Sequence, residues 1–318
     1  MESTGRFTPA LRRLVHGSYD ECRSCGSRIP PKTPALAGYD DAGHEVYVGR
    51  CCEQTLKERA SHIYWHWHAD RRCPPGQKLW RFMDFAKFVS LLEDKALFFA
   101  RADNLGDPFE GAAGLSERQS VWDDFYRQFF REAVATAPGQ TTPPPPEHLD
   151  KEAERLLGEM RRGADYDLKH TFANCWHSNT VESETLWRLY CPPPHPGVVV
   201  QTTACALIES FRPDADIELG CVQYLDFRTA FAGPYERIFS KRKSLSHEAE
   251  VRAVTSNRSL KNPPAGMLVP VNLQLMVQAV VPSPFAPPWL HDLLDKTLRR
   301  HGLDLPLRES ELLAEPFF

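Results

Sequence analysis

The sequence predicts an α+β protein: a largely antiparallel sheet with scattered helices and a helical insertion, preceded by a small zinc-binding module. Three observations carry this. Short alternating or β-branched runs recur over residues 78–281 without a repeating βαβ unit, which points to antiparallel pairing. Two polar amphipathic stretches, residues 116–137 and 147–162, interrupt those runs, with a stiff proline-rich connector between them. Five of the nine cysteines fall at or before Cys73, which sets the N-terminal part apart.

That part begins with Cys22-Arg-Ser-Cys25-Gly26, a thiol knuckle. A short strand from His44 then ends at Cys51-Cys52. Two thiol turns that face each other across a β segment supply what a tetrahedral zinc needs. Cys22, Cys25, Cys51 and Cys52 are the candidate ligands. Adjacent cysteines do not easily point at one ion, so Cys73, His62, His66 or His68 are alternatives to Cys52. The pattern resembles zinc ribbons and treble clefs, and a closed four-ligand site of that kind is structural. A metal-free loop is the plain alternative. Residues 63–70 alternate aromatic and histidine and read as a packed strand or linker. The module is expected over residues 1–75 and the main domain over 76–318, with the insertion at about 115–165.

In the main domain, residues 78–84 predict a strand. Asp84 is placed to cap a helix whose Phe85, Phe88, Val89 and Leu92 form one apolar stripe. A second strand over 96–100 precedes the polar loop around Asp107-Pro108-Phe109-Glu110. Residues 171–177 predict a strand ending at His177, then a helix carrying Trp187 and Tyr190. Residues 198–203 form a buried β-branched strand that closes in Gln201-Thr202-Thr203. Further strands are expected over 220–227 and 268–281, and a late helix over 290–301. From Glu248, charged and small residues alternate, so a strand there would set Glu248, Glu250 and Arg252 on one face. A basic turn, Lys241 to Lys243, leads into it.

The chain is 42% hydrophobic and 25% charged, which fits a globular protein and excludes a disordered one. A net charge of -4 gives no global attraction to nucleic acid or anionic membrane. No apolar run approaches the ~20 residues of a membrane span. The N-terminus lacks an apolar signal region, so the expectation is a soluble, cytoplasmic protein.

Two resemblances add to this. The run from Leu79 to Gly111 with its Asp-Pro-Phe-Glu, Cys175-Trp176-His177, Glu182-Ser183-Glu184 with Trp187 and Tyr190, residues 197–203, and residues 241–252 together resemble a bacterial domain-of-unknown-function family over about residues 78–318. That resemblance implies membership and no particular activity. Arg81, then Gln201-Thr202-Thr203, then Glu248-x-Glu250 is similar in order to the arginine-type ADP-ribosyltransferases, which use an arginine, a Ser-Thr-Ser strand and Glu-x-Glu. This second resemblance implies an NAD-cleaving transferase. Arg81 would pair with the NAD pyrophosphate. Thr202 and Thr203 would brace the site, and His177 is a further candidate contact to the cofactor. Glu250 would hold the nicotinamide ribose and stabilise the charge that grows as nicotinamide leaves. Glu248 would orient or deprotonate the acceptor, a macromolecule or a small molecule.

Other readings compete. Arg252 could neutralise Glu250 in a Glu–Arg ladder, and Asp107 and Glu110 could be purely structural, with Glu110 paired to Arg81 or Arg101. A metal-dependent nuclease or phosphodiesterase would use Asp107, Glu110, Glu248 and Glu250 to hold magnesium. A non-catalytic zinc-containing binding module is the third class.

Overall fold

Among its described residues, the N-terminal region forms short strands and one helical turn at residues 50–52. A computed structural model describes residues 13–15, 20–23, 25–30, 33–39, 45–52, 71 and 73–74 of this region. It also describes residues 76–317 apart from 138–141, 193–194, 213–214 and 235. Arg13–Val15 (β1), Pro34–Tyr39 (β4) and Glu45–Gly49 (β5) make one small sheet, and Asp20–Glu21 (β2) and Arg28–Ile29 (β3) a hairpin. Cys22, Ile29, Ala35 and Val48 form its small core. Residues 63–70, with His62, lie outside the described residues.

The main sheet has eight strands. Lys78–Asp84 (β6), Ala96–Arg101 (β7), Thr171–His177 (β8), Gly197–Thr203 (β9), Glu218–Cys221 (β10), Glu250–Ser256 (β13), Gly266–Pro270 (β14) and Ala279–Pro282 (β15) take part. Gln223–Leu225 (β11) and Ser240–Arg242 (β12) pair separately, in parallel. The order is β10-β13-β8-β6-β9-β15, with β7 joining β8 and carrying β14. All pairs within it are antiparallel, so the predicted fold class holds.

Strand alternation separates two cores. Leu79 and Met83 join Trp176, Val198, Val200 and Val251 in the larger one. Phe85–Asp94 (α1), Ala204–Glu209 (α5), Leu273–Met276 (α6) and Trp289–Arg300 (α7) cover it with Phe88, Leu92, Leu207, Met276, Leu294 and Leu298. Each such fully buried aliphatic or aromatic side chain contributes about 1.5–3 kcal/mol. Trp80 and Phe82 face the other way, against Leu186 and Trp187 of Glu184–Tyr190 (α4). Asp84 caps α1 as the sequence suggests, accepting from the Lys87 N–H at 2.8 Å.

The insertion is a hairpin of two helices, Gln119–Ala135 (α2) and Pro146–His170 (α3). The second is longer than its amphipathic pattern and runs directly into β8. His170 closes it by bonding the Tyr166 and Leu260 carbonyls at 2.7 and 2.9 Å. The expected strand over 268–281 is divided. Asn272 accepts from the Gln274 and Leu275 N–H groups and caps α6, which breaks the β run. The strand expected over 220–227 is likewise two short ones, β10 and β11. Among the described residues, no helix is long and apolar enough to cross a membrane.

Candidate functional site

The sheet is split, and the split makes the site. β6 and β7 both lie along the same edge of β8. β7 pairs with its start, through Ala100↔Ala173 and Arg101↔Phe172, and β6 only with its end, through Trp80↔His177. Residues 174–176 of β8 therefore face a gap, and side chains fill their missing ladder bonds. Asn174 donates to the Phe98 carbonyl at 2.8 Å, and Arg81 donates to the Cys175 carbonyl at 2.7 Å. A cleft of about 690 Å³ opens at this gap, within the ~300–1,000 Å³ usual for small-molecule and cofactor sites.

One wall of the cleft is a closed ion cluster built on β13, β12 and the Asp107–Glu110 loop. Arg252 is fully buried, and its five N–H donors are all used. It holds Glu250 through Nε and Nη2 at 2.8 and 3.2 Å, Glu110 through both terminal nitrogens at 2.7 Å, and the Ile238 carbonyl at 2.6 Å. Lys241 Nζ bonds Glu248 at 2.6 Å and Glu250 at 3.0 Å. Arg242 holds Asp107 at 2.7 Å. Burial works to raise the Glu250 carboxyl, but Arg252 and then Lys241 outweigh it and hold it down at about 2. Burial would likewise lower the Lys241 ammonium, yet Glu250 and Glu248 carry it well above its ordinary value. Glu250 and Lys241 are thus both ionised at neutral pH.

Glu248 reaches this cluster by an unexpected route. It is not on the strand: residues 243–248 form a 3₁₀ turn, and Ala249 takes a left-handed conformation with φ of +42°. β13 begins only at Glu250. Side chains two apart on a regular strand share a face but stand ~6.6–6.8 Å apart. The kink at Ala249 instead lets both carboxylates meet one ammonium.

Arg81 lines the same cleft in a different condition. Among the described residues no carboxylate pairs with it; its bond to Cys175 and a 5.9 Å approach to the Trp176 ring are its contacts. His177 also lines the cleft, paired across the ladder with Glu250, its Nδ1 2.8 Å from the Glu248 carbonyl. Burial lowers its pKa, which favours the neutral imidazole. Burial, and then the nearby Glu250 charge, raise the Cys175 thiol and keep it protonated.

Of the sequence-predicted residues, Arg81, His177, Glu248 and Glu250 are brought together, and Thr202 and Thr203 are not. Thr202 is fully buried on the α1-covered face of β9, and its hydroxyl bonds the Thr203 carbonyl. Thr203 caps α5 through the Ala206 N–H. Neither lines the cleft. Asp107 and Glu110 meet arginines, Arg242 and Arg252 rather than Arg81, while Arg101 pairs with Asp103. Each carboxylate of the magnesium reading is therefore held by a cation. Lys241 and Arg242 of the basic turn line the site as well, as do Cys175 and Tyr190, which the sequence did not single out for it. Charge pattern signalled the first two, in the basic turn before Glu248. Tyr190 follows Trp187 by three residues and reads as core, and both rings do meet Phe82, but Tyr190 remains 40% exposed.

The second candidate site is in the N-terminal region. Cys22, Cys25, Cys51 and Cys52 bring their sulfur atoms within 4.8 Å of one another, a group that could hold a metal ion. Cys25 and Cys51 stand 3.6 Å apart, close to the ~3.8 Å edge that a ~2.3 Å Zn–S bond gives a tetrahedron. Gly26, with φ of +71°, closes the knuckle as its N–H bonds the Cys22 carbonyl at 2.7 Å. Cys52 joins the group because residues 50–52 leave the strand as a helical turn, which rotates the second thiol inward. Cys73 is buried elsewhere, beside Cys221 at the edge of the main sheet.

Comparison with known proteins finds no matching family model, no matching curated protein and no matching solved structure.

Proposed function

We propose that the cleft binds NAD and that the protein is an ADP-ribosyltransferase-like enzyme, transferring ADP-ribose to an acceptor. One observation carries this reading: Arg81, a cation without a carboxylate partner among the described residues, lines the same cleft as the ionised Glu250. A guanidinium with unused donors suits a pyrophosphate. A carboxylate held ionised and immobile suits the positive charge that develops on the ribose as the glycosidic bond breaks. The C1′–N bond breaks with its electron pair leaving on nicotinamide, and a lone pair of the acceptor forms the new bond to C1′. The acceptor's proton passes to Glu248, beside Lys241. His177 lies against the same space as a neutral hydrogen-bonding group. The cytoplasm, where NAD is available, and the bacterial family whose motifs the chain resembles complete the proposal.

For the cysteine cluster the reading is a structural zinc held by Cys22, Cys25, Cys51 and Cys52. Four thiolates leave no open coordination position, so the ion would staple the small sheets rather than act on substrate. Purified protein dialysed without chelator should contain about one equivalent of zinc, and a metal content well below that overturns the assignment.

The transferase reading is tested by nicotinamide release from NAD on the full chain. Wild-type protein should release it, and Glu250→Gln, shown folded by circular dichroism, should lower the rate at least ~100-fold. Wild-type protein that releases no nicotinamide from NAD overturns the reading.

A further inference from the structure

The cleft has an apolar end that the charged wall does not use. Phe98 on β7 and Leu268 on β14 are cross-strand partners, yet they remain 51% and 49% exposed, and both line the cleft. Their neighbours in sequence are ordinary core, with Phe99 fully buried and Leu97 and Val269 nearly so. The Phe98 ring also lies close against Gly266. A methyl group at Gly266, on the facing strand, would lie 2.2 to 2.8 Å from three atoms of its ring. The ring therefore lies flat across the bare backbone of Gly266, one face covered by β14 and the other open. Glycine at this position permits that close approach.

The place of this ring in the sheet matters as much as its attitude. Arg252 pairs with Cys175 across β13 and β8. Continuing the β7–β8 register past Ala100↔Ala173 would set Phe98 opposite Cys175, and the Asn174 side chain does reach the Phe98 carbonyl. Phe98 thus stands two strands and two register positions from Glu250 on the same face of the sheet, roughly 12 Å away at ~4.8 Å per strand and ~3.4 Å per residue. Arg81 reaches into the gap between those strands. A base bonded directly to a ribose held by Glu250 would sit against Glu250, not two strands off. The far base of a dinucleotide, beyond its phosphates, would lie at that distance.

We propose that Phe98, backed by Gly266 and flanked by Leu268, is the stacking platform for the adenine of a dinucleotide. This inference rests on the transferase reading for which end of the ligand faces Glu250. Stacking a base on an aromatic side chain contributes ~1–3 kcal/mol and needs no hydrogen-bond code. The platform sorts ligands by whether they carry the adenine half.

Titration calorimetry on the full chain tests it with AMP, ADP-ribose, NAD and nicotinamide mononucleotide, against wild type, Phe98→Ala and Phe98→Trp. Phe98→Ala should weaken AMP, ADP-ribose and NAD by ~10-fold and leave the mononucleotide unchanged, and Phe98→Trp should retain all four affinities. Equal loss for the mononucleotide, unchanged affinity for AMP, or failure of wild type to bind AMP would each overturn the platform, whether or not NAD is cleaved. Conversely, Phe98-dependent AMP binding without nicotinamide release would support the platform and overturn the transferase reading alone.

Discussion

Arg252 and Arg81 lie on one cleft of one sheet, and they are held in opposite ways. Arg252 spends every donor on fixed partners: two carboxylates and a carbonyl. Arg81 bonds a single carbonyl across the split. The first arrangement is what a buried guanidinium needs in order to be tolerated at all, since an unpaired ion in a dry interior costs several kcal/mol. The second leaves charge available to something that arrives. The two arginines thus differ in how many of their donors are already spent.

The contrast can be broken most severely at Arg252. Replacing it with methionine leaves Glu250 and Glu110 buried without their main partner, so chemical denaturation should show a loss of ~3–5 kcal/mol. A smaller loss would mean that the wall is less closed than its geometry implies. Acid probes the same wall without mutation. Because Glu250 is held at about 2, below its ordinary 4.5, its contribution is complete above about pH 4.5 and is lost as pH falls toward 2. That amounts to on the order of 3 kcal/mol. Denaturation midpoints of wild type should fall across this window, and those of Glu250→Gln should not follow that part of the decline.

Arg81→Ala should invert the pattern. It removes one hydrogen bond, so stability should change by only about 1 kcal/mol, while affinity for ADP-ribose should drop tenfold or more. A large stability loss with unchanged affinity would make Arg81 a strut across the split. The smallest effect is expected at Thr202→Val, which removes a buried hydroxyl bonded only to its own neighbour's carbonyl. ADP-ribose affinity should stay within about twofold, at a stability cost of ~1 kcal/mol. A marked loss of binding would return Thr202 to the site.

Local pattern disclosed much of this and long-range register the rest. The Asp84 cap, the α1 stripe and the strands around Trp176 and Val200 follow from spacing that a short window contains. The convergence of Arg81 with Glu250 also agrees with the sequence reading. What failed did so for stated reasons. Thr202 shares a strand with residues near the split, but alternation turns it toward α1, and only the pairing register fixes that. Glu248 looked like a strand residue because its alternation is regular, and nothing in that pattern reveals the positive φ at Ala249. The division of residues 268–281 hung on one cap, Asn272, inside an otherwise apolar run. Phe98 carried no mark of its own, since its openness depends on a glycine from a strand more than 160 residues later.

That left-handed alanine has a consequence for how the two acids are tuned. An L-residue other than glycine, asparagine or aspartate pays roughly 1–2 kcal/mol to adopt it, so the hinge is loaded like a sprung latch. Ala249→Gly would relax the latch and raise global stability. It would also free Glu248 to drift from its ammonium, trading a sturdier molecule for a less disciplined acid.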